Sequence, residues 1–112
     1  MIHYHNRYFK SIQNSENGEV DENMIFHYQQ KNNLVTCQYS GGQIEFGHLI
    51  AVVNTDGSLD MRYHQLNRHG QIMTGTCAST PELLPDGRIR LHEKWQWTSG
   101  DQSQGISILE EI

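Results

Sequence analysis

A chain of 112 residues suffices for one domain with a hydrophobic core and is too short for two. Its formal net charge of −5, with no basic run, excludes the positive footprint that general nucleic-acid or anionic-membrane binding requires. The longest apolar run, Leu49-Ile50-Ala51-Val52-Val53, cannot span a bilayer, and Met1-Ile2-His3-Tyr4-His5-Asn6 lacks the basic-then-apolar pattern of a secretory signal. The expectation is one cytoplasmic domain over residues 1–112, with Cys37 and Cys77 as free thiols.

Turn signals punctuate the chain at Asn17-Gly18, Asn32-Asn33, Gly41-Gly42, Asp56-Gly57, His69-Gly70, Asp86-Gly87 and Ser99-Gly100. Glycine and asparagine supply the left-handed backbone that tight hairpins need. The blocks between them are rich in β-branched and aromatic residues and show no helical stripe. This predicts eight strands, at about residues 4–13, 20–30, 34–40, 43–53, 58–67, 71–79, 88–98 and 104–111. Short turns between consecutive strands make an all-β, up-and-down antiparallel meander, and eight strands can close into a barrel that removes exposed edges. The segment Thr80–Gly87, with Pro81 and Pro85, is expected to be a rigid loop over one barrel end.

Alternation assigns the interior. In 88–98 the odd positions are Ile89, Leu91, Glu93, Trp95 and Trp97, and each indole can bury about 150–250 Å². That face points inward, which leaves Glu93 as the lone carboxylate among apolar neighbours. The same logic turns inward Leu59, Met61, Tyr63 and Gln65; Met24, Phe26 and Tyr28; Val35, Cys37 and Tyr39; and the even set Ile44, Phe46, His48, Ile50 and Val52. Parity leaves 71–79 undecided. The candidate ligand-binding residues are therefore Tyr28, Tyr39, His48, Tyr63, Gln65, Glu93, Trp95 and Trp97. If the barrel is filled, these groups satisfy one another, with Glu93 bonded to a tyrosine or His48. If it is open, they line a ligand cavity of roughly a few hundred Å³. Glu93 and His48 are also the best acid/base candidates.

No phosphate-binding loop, dinucleotide fingerprint or nucleophile elbow is present, so no cofactor is expected. Leu91-His92-Glu93-Lys94-Trp95-Gln96 lacks the second histidine of a zinc-protease helix. His64 and His92 fall on the outer face, so no metal site is expected either.

Tyr39-Ser40-Gly41-Gly42, Phe46-Gly47-His48-Leu49-Ile50, Asp60-Met61-Arg62-Tyr63-His64-Gln65 and Leu91-His92-Glu93-Lys94-Trp95-Gln96-Trp97-Thr98-Ser99-Gly100 resemble a family of short bacterial proteins with an avidin-like or calycin-like barrel. Members often carry the label N-acetylglutamate synthase. The resemblance covers nearly the whole chain and implies the same barrel that the strand count gives. An acetyl-CoA-dependent transferase of the usual kind needs a mixed α/β fold and a glycine-rich loop opening a helix, and the sequence offers neither. The leading expectation is a barrel binding a small molecule inside or at one mouth. The alternatives are the labelled enzyme activity and a homo-oligomeric interaction module.

Overall fold

A computed structural model describes residues 2–112. Its eight strands are β1 (Arg7–Asn14), β2 (Ile25–Lys31), β3 (Leu34–Gly41), β4 (Ile44–Val53), β5 (Leu59–Asn67), β6 (Ile72–Leu83), β7 (Ile89–Trp97) and β8 (Gln104–Glu111). Each pairs antiparallel with the next, and β8 pairs with β1 to close the barrel. The Arg7 guanidinium in β1 donates to both oxygens of Glu111 in β8, at 2.9 and 3.0 Å, across this closing seam. No helix among the described residues is long and apolar enough to cross a membrane.

The interior packs because large inward residues stand opposite small ones. Trp97, Trp95 and Glu93 of β7 face Gly75, Cys77 and Ser79 of β6, and on the other side Trp95 and Glu93 face Gly105 and Ser107 of β8. The pattern recurs where Tyr39 faces Gly47 and Tyr63 faces Gly75. Such alternation fits rings of different size into a narrow barrel. It also settles the parity of β6, whose inward face consists of the small residues Gly75, Cys77 and Ser79.

The structure corrects several sequence-based expectations. In β4 the inward set is Ile44, Gly47, Leu49 and Ala51, while Phe46, Ile50 and Val52 are 50%, 46% and 46% exposed and His48 lies on the same outer face. The register jumps from Ile44↔Asn67 to Phe46↔Leu66, so Glu45 is an extra residue and every later side chain changes face. The connection between β1 and β2 runs through residues 15–24, so residues 20–24, expected to open the second strand, belong to a loop. Its polar groups take up backbone bonds that a ladder would need: Asn23 N–H donates to Asp21 Oδ1 at 2.9 Å, and Gly18 N–H to Ser15 O at 3.0 Å. Residues 80–83 continue β6 instead of forming a loop. The pairing of β5 with β6 ends at Leu59↔Ser79, so Pro81 lies on a free edge where its missing N–H breaks no bond to β5. Tyr4 precedes β1 and plugs the barrel end, its hydroxyl donating to Gly57 O at 2.5 Å.

Tyr4, Phe9, Val35, Leu59, Ile89 and Leu91 fill that end completely. Cys37 and Cys77 are buried free thiols on inward faces, and burial pushes the Cys37 pKa up to about 12 and that of Cys77 well above the usual thiol range. Thiolate is the reactive form, so native protein at pH 8 is expected to resist iodoacetamide for hours and to take up two equivalents once denatured. Rapid native labelling, read by intact mass, would contradict this burial.

Candidate binding cavity

The half of the barrel opposite Tyr4 holds a cavity, and three glycines shape its wall. A Cβ on Gly47, Gly75 or Gly105 would collide with the ring of Tyr39, Tyr63 or Trp95 respectively. Without those methyl groups, each ring lies down on its neighbour's backbone. Trp95 and Trp97 meet edge-on with centroids 5.7 Å apart, Tyr63 meets Trp97 in the same way at 5.7 Å, and Phe26 tilts against Tyr39 at 5.0 Å. The space enclosed is about 70 Å³, counted as the volume that the centre of a water molecule can reach. That exceeds the ~10–15 Å³ needed for one water and falls short of the ~300–1,000 Å³ of a drug-sized pocket. The interior is thus neither filled nor as open as the binding expectation supposed, because the rings lie inward and a loop covers part of the mouth.

Glu93 faces this cavity from the middle of β7. Its partner is Ser107, whose hydroxyl donates to Oε1 at 3.0 Å; neither a tyrosine nor His48 is bonded to it. Burial raises the Glu93 carboxyl from 4.5 to about 7, and contacts from Ser107, Ser79 and Cys77 temper the rise. One hydroxyl nearby is buried without a protein partner, Tyr28 Oη in the cavity lining, while Ser79 stands at the β6 position paired with Glu93. Burial drives the phenol pKa values of Tyr28, Tyr39 and Tyr63 well above their ordinary range, so all three stay neutral.

The loop 15–24 lies over part of the mouth. Glu19 reaches in and accepts from Gln65 Nε2 at 2.8 Å and from Asn67 Nδ2 at 2.8 Å, while Tyr39 Oη donates to Gln65 Oε1 at 2.8 Å. The Trp97 indole N–H donates to Asn17 O at 3.1 Å, and Asn14 Nδ2 donates to Val20 O at 3.0 Å. The loop is therefore latched onto the same side chains that form the cavity wall.

Of the candidates read from the sequence, Tyr28, Tyr39, Tyr63, Gln65, Glu93, Trp95 and Trp97 converge on this cavity. His48 does not. It sits outside, 5.5 Å from the ring of His64, in an open depression shared with Arg62, Thr74 and Thr98. A Glu93–His48 acid/base pair is thus not assembled. Among the described residues no three His, Cys, Asp or Glu side chains cluster as a metal site. Sequence reasoning missed Glu19, Ser107 and Asn67. Ser107 was recoverable from the alternation of β8, but Glu19 meets its partners across 46 and 48 residues and carries no local signal.

The family model described as avidin-like protein matches residues 2–112. No curated protein and no solved structure matches the chain at a significant level.

Proposed function

Because the chain belongs to the avidin-like protein family, we propose that it binds one compact small molecule in the half-barrel cavity beneath the loop 15–24. Barrels of this architecture hold single small ligands in their interior. The observation that carries the reading is the Glu93 carboxylate with the partnerless Tyr28 hydroxyl, both facing space enclosed by Tyr39, Tyr63, Trp95 and Trp97. A few polar groups aimed into an aromatic enclosure are what orients a ligand. A purely structural interior would pair such groups, since an unsatisfied buried hydroxyl costs about 1–3 kcal/mol. A substrate as large as acetyl-CoA finds no room in about 70 Å³, so binding is favoured over the acetyl-transfer alternative. The outer strip formed by Phe46, Leu66 and Ile72, paired across β4, β5 and β6, supports association of barrels with one another.

The two indole N–H signals report directly on the wall, because Trp95 and Trp97 are the chain's two tryptophans. A ligand screen of compact polar solutes by NMR is expected to yield compounds that shift these signals saturably. If no compound in a panel spanning cationic, neutral and anionic molecules shifts either indole, the cavity is structural and the proposal fails.

A further inference from the structure

We infer that the ligand of this cavity is a compact organic cation bearing N–H donors, with its charge at Glu93 and its carbon skeleton against Trp95, Trp97 and Tyr63. This rests on the small-molecule reading of the same cavity and adds the ligand's chemical class. The lining contains two carboxylates, Glu93 and Glu19, and among the described residues no lysine, arginine or histidine. The walls are aromatic, and a ring that presents its face to a cation attracts it by about 0.5–2 kcal/mol. Both formal charges of the lining thus have one sign.

The two carboxylates differ in what they lack. Glu19 at the mouth already accepts from two side-chain amides. Glu93 lies deeper, receives only neutral contacts, from the Ser107 and Ser79 hydroxyls and the Cys77 thiol, and has no positive partner. The titratable groups facing it are Tyr28 of β2, Tyr39 of β3, Tyr63 of β5, Cys77 of β6 and, from the loop, Glu19, and none of these can become a cation. The charge that balances an ionised Glu93 must therefore come with the ligand. Above neutral pH, where Glu93 is ionised, a neutral ligand would leave its carboxylate uncompensated, and an anion would be repelled by both acids. The Tyr28 hydroxyl offers an oxygen acceptor for a second N–H. The rise of the Glu93 pKa to about 7 adds a signature: the ligand must displace a proton below neutrality.

Three probes of similar size and three charges test this: propylammonium, propionamide and propionate, titrated against tryptophan fluorescence and the indole N–H signals. At pH 8 propylammonium is expected to saturate at least tenfold more tightly than propionamide, with propionate silent. Its affinity should fall about tenfold at pH 6, as Glu93 takes up its proton. In Glu93→Gln, whose fold is checked by its melting curve, the preference for propylammonium should disappear. Propionamide or propionate binding as tightly as the amine, or full affinity retained in Glu93→Gln, would overturn the cation while leaving a binding cavity. Silence from all three probes would overturn the cation, and the broader screen described above then decides whether the cavity binds anything.

Discussion

Wild-type stability is expected to fall as the pH rises from 4.5 to about 7 and then to level off, while Glu93→Gln stays flat over that range. The Glu93 carboxyl is raised in the folded state by burial, so the native protein holds this proton more tightly than the unfolded chain does. Stability from the raised pKa is fully present below 4.5, where both states are protonated, and is lost as the pH passes the folded value. The total loss is at most about 3 kcal/mol, because the Glu93 side chain keeps some contact with solvent, and each kcal/mol lowers the Tm of a domain of this size by roughly 4–8 °C. Gln carries no charge to bury and keeps an acceptor for the Ser107 hydroxyl. It should match wild type near pH 4.5 and exceed it at pH 8. Glu93→Ala removes the acceptor as well, and at low pH should cost about 1–3 kcal/mol. Asp56, Asp86 and Asp101 are held below their ordinary values by local hydrogen bonds. Their stabilisation is lost at lower pH, and they are identical in every variant, so the difference between the wild-type and Glu93→Gln curves isolates Glu93. Thermal melts from pH 4 to 8 decide the matter. Parallel curves for the two proteins would mean that Glu93 is solvated, and the cavity description would fail with it.

The barrel was legible because hairpin chemistry and alternation are local. Asn32 turns the β2–β3 hairpin with φ 56°, and β7 reads inward from Ile89 to Trp97 without interruption. What misled was also local. Residues 49–53 are apolar at every position, so neither face of β4 declares itself, and a single extra residue at Glu45 inverts the set. The alternation of Met24, Phe26 and Tyr28 extended a strand back to residue 20, where the backbone turns instead, although Asp21, Glu22 and Asn23 are poor strand formers. The small inward residues of β6 gave no parity because their meaning lies in their neighbours: Gly75 and Cys77 are small because Trp97 and Trp95 stand opposite. The latch made by Glu19, Gln65 and Asn67 joins a loop to a strand far along the chain, and no spacing rule reaches that far.

Gly105→Ala should both destabilise the protein and shut the cavity. The glycine stands opposite Trp95 in the β7–β8 ladder, and an added Cβ would meet the six-membered ring of that indole. Gly105 is absent from the left-handed backbone positions, so the substitution acts through contact rather than strain. Forcing a methyl against a large, rigid side chain costs about 1–3 kcal/mol. The indole has Cys77 on its other flank and Trp97 5.7 Å away, which leaves the cavity as the direction in which it can yield. Gly87→Ala provides the contrast. Nothing lies within 4 Å of its added Cβ, but its φ of 89° strains any residue other than glycine. Both variants should therefore melt earlier. Only Gly105→Ala should shift the Trp95 indole signal and abolish ligand-induced quenching, because only there does the lost stability come from a ring pushed into the binding space. A Gly105→Ala protein with an unmoved Trp95 signal and wild-type Tm would show that the ring does not rest on that glycine.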